Sequence, residues 1–195
     1  MSALPKSQGK SVDDLVELEA EGHGRYEIID GDFVEVEVSL ESSETNVNFA
    51  FELGLYIRQH RIGRVFDAEL IYDLPKSTRH ADVSVILNHR LPDKDASRYV
   101  GAPDLLVEVV SPTDRQHAVS LKAQEWLDAG ARIVWVADPP VRQIAVYRRG
   151  KARLLTADEV LDGEDVLPGF SVPVASFFPE PLGAATTDAA ATGGE

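Results

Sequence analysis

The chain contains no cysteine, which removes disulfides, zinc-thiolate sites and thiol chemistry together. Basic residues are scarce: 19 Lys and Arg stand against 33 Asp and Glu, for a formal net charge of −14. Nonspecific attraction to nucleic acid rests on Lys and Arg neutralising phosphate, so this balance argues against a DNA coat or a basic-groove binder. It leaves room for an enzyme that meets phosphate through a bound metal, because carboxylate-rich metal sites are acidic until the ion arrives. No apolar run approaches the length of a bilayer span, and the opening MSALPKSQGK lacks the apolar stretch of a secretory signal. The expectation is a cytoplasmic protein without a membrane partner. Nucleotide and serine-hydrolase signatures are missing as well. There is no G-x-x-x-x-G-K-[ST] and no G-x-S-x-G, GHGR is not a dinucleotide fingerprint, and His23, His60, His80, His89 and His117 form no H-E-x-x-H.

What is present fits one domain of ordinary composition. Residues 1–11 read as a flexible arm, 12–182 as a single domain, and 183–195, GAATTDAAATGGE, as a disordered tail. SVDDLVELEAEG fits a short helix capped by Ser11, with Val12, Leu15, Val16 and Leu18 on its apolar side and Gly22 at its end. RYEIIDGDFVEVEVS reads as a β-hairpin turning at Asp30-Gly31. In ETNVNFAFELGLYIRQHRIG, Val47, Phe51, Leu55 and either Ile57 or Arg58 recur at helical spacing, with Gly63 closing a helix expected to pack on a sheet. RVFDAELIYDL, ADVSVILN and PDLLVEVVS follow as three strands rich in Val, Ile and Leu. The last leads through SPTD into a helix, with Ser111 as cap, Pro112 at its first position, Asp114 in its first turn and Gly130 at its end. ARIVWVAD behind it completes a strand-helix-strand crossover with parallel strands. DPPVRQIAVYRR turns back as a further strand, and short strands and loops run on to Pro181. The fold class is α/β, a mixed sheet with helices on at least one face.

One residue breaks the pattern. In PDLLVEVVS side chains alternate, so Leu105, Val107 and Val109 share one face, and Asp104, Leu106, Glu108 and Val110 the other. Both faces are apolar, as in a strand covered on two sides. Glu108 therefore points into protein, where a carboxylate is costly unless neutralised, paired or bound to a cation. Asp82 raises the same question at the head of DVSVILN. Lys122 borders the inward stripe of Val119, Ala123, Trp126 and Leu127, from which it can snorkel outward or reach back over the end of the sheet. An Asp and a Glu on neighbouring strands with a Lys beside them are what metal-dependent phosphodiester hydrolysis needs: two carboxylates to hold Mg²⁺ or Mn²⁺, and an ammonium to stabilise charge or orient the nucleophile. The plainer alternative is structural. Glu108 can pair with Arg79 or Arg115, Asp82 can be a turn residue, and Lys122 can simply cover its stripe. The basic cluster Arg148, Arg149, Lys151 and Arg153 can likewise meet phosphate or form a solvated hairpin.

The ordered set YEIIDG, a helix, RHADVSVI, GAPDLLVEVVSPTDR, KAQEWLDAG, RIVWVADP and IAVYR, over residues 12 to 175, resembles the Uma-two family of restriction-endonuclease-like proteins in the PD-(D/E)xK nuclease superfamily. The resemblance implies a restriction-endonuclease-like mixed sheet with an N-terminal hairpin, Mg²⁺ (or Mn²⁺) dependence and DNA cleavage. By position it makes Asp82 the motif aspartate, Glu108 the motif acid and Lys122 the motif lysine displaced from strand to helix, with Asp82 and Glu108 as metal ligands. Glu27 matches a recurrent family glutamate, either close to the metal or anchoring the hairpin. The departures are Ala81 where the family has Pro, Val110 where the superfamily has Lys, and Thr45 or Asn46 where a helical His is common. A catalytically decayed fold acting as a nonenzymatic interaction protein is the first rival, and a metal hydrolase of small phosphate esters the second. Making a double-strand break from one site per chain would favour a homodimer.

Overall fold

The computed structural model describes residues 9–21, 26–35, 39–111 and 116–180. Residues 1–8 of the expected arm, the tail from 183, Gly22, Pro112 and Asp114 lie outside the described residues. Helix α1 (Val12–Ala20) begins as expected, with Asp14 N donating to Ser11 Oγ at 3.2 Å and the Asp14 carboxylate accepting from Ser11 N in return, a reciprocal cap. Strands β1 (Tyr26–Ile29) and β2 (Asp32–Glu35) form the hairpin. Asp30 and Gly31 both take positive φ, 52° and 87°, as a tight turn matched to strand twist requires.

Helix α2 (Leu40–His60) corrects the expected face. Ser42, Thr45, Phe49, Leu53 and Ile57 are buried, while Val47, Phe51 and Leu55 are 63%, 65% and 55% exposed. Both stripes have helical spacing. The true one starts with two polar residues, which hid it behind a more apolar neighbour. The helix also starts earlier than expected, on Ser39, whose hydroxyl accepts from Ser42 N at 3.1 Å. It ends at Arg61, left-handed at φ 56°, and not at Gly63. Gly63 instead opens β3 (Gly63–Asp67), where a Cβ would stand 2.5 Å from Ile86 O.

RVFDAELIYDL is not one strand. Asp67 turns the chain by accepting from Glu69 N at 3.1 Å through its side chain, an Asx-type turn. The halves, β3 and β4 (Ile71–Asp73), then enter different sheets. A strand the sequence did not suggest, β5 (Thr78–His80), precedes β6 (Val83–Leu87). The remaining elements are β7 (Tyr99–Val100), β8 (Leu105–Val109), α3 (Gln116–Asp128), β9 (Ile133–Asp138), β10 (Gln143–Arg148), β11 (Lys151–Leu155), β12 (Val160–Gly163) and β13 (Leu167–Pro173).

The central sheet has the order β11-β10-β9-β8-β6-β3 and the second sheet β2-β1-β5-β4-β7. As expected, β8 and β9 are parallel and joined through α3, and β10 returns antiparallel. Leu105, Val107 and Val109 join Phe49, Leu53 and Trp135 in the core under α2. Leu106 joins Tyr72, Ala123, Trp126 and Leu127 in a second core under α3. Glu108 lies on the α3 side. Asp104, fully buried at the other end of β8, is structural: it accepts from Leu87 N at 2.8 Å and pairs with Arg90.

Candidate active site

The register of β6 against β8 pairs Val83 with Val107 and Val85 with Leu105, which sets Asp82 opposite Glu108 on one face. The half-buried Asp82 is held there by Val109 N, which donates to Oδ2 at 2.7 Å. Glu108 is 7% exposed. Its Oε1 accepts from the indole N–H of Trp126 at 2.6 Å, and its Oε2 lies 2.8 Å from Lys122 Nζ. Of its two fates, Lys122 therefore takes the inward one. The spacing explains it: Lys122 and Trp126 are four residues apart on α3 and descend on the same carboxylate.

Glu27 enters from the hairpin. Its Oε1 lies 3.1 Å from Lys122 Nζ without a hydrogen bond, and its Oε2 accepts from Arg79 Nη1 at 2.8 Å. Arg79 in turn donates through Nε and Nη2 to Glu125 Oε2 at 2.8 and 2.5 Å, while Ser77 Oγ donates to Glu125 Oε1 at 2.5 Å. Glu27 thus ties the hairpin to β5 through Arg79 and lies beside Lys122 at the border of the candidate site. Of the two partners considered for Glu108, Arg79 serves Glu27 and Glu125 and Arg115 lies outside the described residues; the described cation on Glu108 is Lys122. The basic hairpin residues Arg148 and Arg153 are tied to Glu164 and Asp162.

The charges are uneven. Burial pushes Glu108 up to about 7, Lys122 pulling it down but Asp82 and Glu27 adding repulsion. For Glu27 burial acts the same way but is outweighed by Lys122 and Arg79, so its carboxyl is held below the usual range. Burial opposes the charge on Lys122, yet Glu108, Glu27 and Asp82 hold its ammonium well above the usual lysine value. Glu27 has two cations and ionises easily. Glu108 shares one with its rivals and ionises after Glu27.

Among the described residues, no group of three or more His, Asp or Glu is arranged to hold an ion by itself. The donors at hand nonetheless fit a hard divalent cation. Asp82 and Glu108 offer carboxylate oxygens from adjacent strands, and Mg²⁺ characteristically takes one or two carboxylates and keeps several waters. Carboxylates outnumber cations here, with Glu27, Asp82, Glu108 and Glu125 around Arg79 and Lys122.

Glu125, Ser77 and the Trp126 N–H escaped the sequence reading, as did the true partners of Arg79, which are Glu27 and Glu125. Trp126 carried a signal, since a buried indole N–H needs an acceptor. Glu125 carried a weaker one, three residues after Lys122. Arg79 meets Glu27 across 52 residues of chain, which spacing cannot reveal.

A mixed sheet carrying Asp and Glu face to face on neighbouring strands, with a lysine over them, is the layout of a restriction-endonuclease-like protein. Residues 12–175 match the Uma2 (Uma-two) family, described as "putative restriction endonuclease", and the chain belongs to that family. Its fold is shared with a protein from Anabaena variabilis ATCC 29413 whose crystal structure is described as a putative nuclease belonging to DUF820. The two align with a TM-score of 0.73 over 80% of this chain and 90% of that one, at 21% identity. No curated protein matches the sequence.

Proposed function

We propose that the protein is a metal-dependent nuclease that hydrolyses phosphodiester bonds in DNA at the Asp82–Glu108–Lys122 cluster. The observation that carries this is the burial of Glu108 opposite Asp82 with Lys122 Nζ 2.8 Å away. Asp82 and Glu108 would hold Mg²⁺ or Mn²⁺, which when bound supplies Lewis-acid polarisation of the phosphoryl group and a more acidic water. The chain's own groups do the positioning. Trp126 and Val109 N fix one oxygen each of Glu108 and Asp82. Lys122 stays protonated among its carboxylates, so it offers N–H donors to a water or a phosphoryl oxygen and not a base. Glu27, steadied by Arg79, keeps that ammonium in place when Glu108 is engaged elsewhere. Val110 occupies the superfamily's lysine position, and Lys122 supplies the charge from the helix.

Nicking of supercoiled plasmid in Mg²⁺ or Mn²⁺ tests the reading. Glu108→Gln should abolish cleavage while circular dichroism shows the fold retained; undiminished cleavage removes the mechanism. One observation favours the nonenzymatic rival, namely that Lys122 already compensates Glu108 and Glu27 without an ion. Mn²⁺ binding separates the two.

A further inference from the structure

A second polar site lies away from the carboxylates. A groove of about 600 Å³ opens between the end of α2 and the edge strand β3, lined by Arg58, Arg61, Arg64 and Asn88 together with Ile57 and Val65, and no carboxylate lines it. Acidic residues are plentiful, and Arg79, Arg90, Arg98, Arg132, Arg148 and Arg153 each hold at least one, while Arg142 and Arg149 donate to backbone carbonyls. Among the described residues, Arg58, Arg61 and Arg64 hold none, and all three are exposed. Two of them have ordinary explanations. Arg58 lies in the last turn of α2 and complements the negative end of the helix, and Arg64 charges a sheet edge against unwanted pairing. Arg61, at the C-cap of the same helix, shares the charge role of Arg58 but carries a backbone cost that Arg58 does not. It occupies the left-handed cap at φ 56°, ψ 34°, a position that favours glycine because a Cβ is disfavoured there.

We infer that this groove binds the phosphate backbone of the nucleic acid the protein cuts, at a point remote from the scissile bond. The identity of that polyanion rests on the nuclease reading. A chain of net charge −14 repels DNA at long range, so attraction must come from a local concentration of cations not already neutralised by acids. Guanidinium forks suit phosphate oxygens in geometry as well as charge. Gly63 pairs with Leu87, at the far end of β6 from Asp82, roughly 17 Å along the strand. The groove therefore lies apart from the carboxylates and leaves the reacting phosphate to them.

The test is fluorescence anisotropy of a labelled duplex with the full chain in Ca²⁺, over a salt series, for wild type, Arg61→Gly and Arg58→Ala/Arg64→Ala. Removing one guanidinium that binds a phosphate should lower the slope of log affinity against log salt by about 1. Arg61→Gly is the sharper arm, because relieving the left-handed cap should raise Tm by about 2–4 °C while DNA affinity falls. A merely structural arginine would not give those opposite signs. Unchanged affinity and slope in both variants, with plasmid cleavage by wild type intact, overturns the groove and leaves the nuclease reading standing. Inorganic phosphate protecting wild type but not Arg61→Gly against heat, with DNA affinity unmoved, also overturns it in favour of a small anion. A wild type that neither binds nor cuts DNA fails the nuclease reading and the inference together.

Discussion

At the scale of single residues, Glu108 carries the most testable physics. Its carboxyl ionises near 7 in the fold against 4.5 for a free glutamate. Between those values the folded chain keeps a proton that the unfolded chain has lost, so stability from this group is full below pH 4.5 and is lost as pH rises to about 7. Melting curves across that window should therefore decline less steeply in Glu108→Gln; parallel curves would show that burial does not perturb the group. Lys122 is the complementary case. Lys122→Met leaves Glu108 and Glu27 without their ammonium and should cost near the low end of about 3–5 kcal/mol in urea unfolding, since Lys122 keeps 26% of its side chain exposed. A loss below about 1 kcal/mol would mean that water compensates the carboxylates. Glu108 was legible in sequence because a charge in an apolar run has to be explained. The pairing of Arg79 with Glu27 and Glu125 was not, because it depends on the meeting of β1, β5 and α3 in space.

At the scale of elements, α2 shows how a helical repeat misleads. Val47, Phe51 and Leu55 and the buried Thr45, Phe49 and Leu53 have the same spacing, and the polar start of the buried stripe tips the sequence reading to the exposed one. The correction has a measurable consequence. Phe49 is fully buried and stacked on Phe177 at 4.1 Å between ring centroids, so Phe49→Ala should cost about 3–5 kcal/mol. Phe51→Ala should stay within about 0.5 kcal/mol. Urea midpoints decide it, and the reverse order would put Phe51 back on the packed face. The break at Asp67 was hidden for a similar reason: an Asx turn needs one side chain and one amide, and leaves no glycine or proline in the sequence to mark it. The hairpin and the crossover, by contrast, are written in local chemistry, an Asp-Gly turn and a helix between two apolar strands, and both form where expected.

At the scale of the whole molecule, the fold sorts charge. Among the described residues six arginines are tied to acids, and two cations are sunk among four carboxylates at one end of β6 and β8. At the other end, three arginines hold no acid among the described residues. The account's central claim is that the carboxylate end is built for a divalent cation. Calorimetric titration of Mn²⁺ at pH 7 tests it most directly. Wild type should take one ion per chain and release about half a proton from Glu108, visible as heat that changes with the buffer, and Glu108→Gln should take none. Equal binding by both proteins, or none by either, would contradict it.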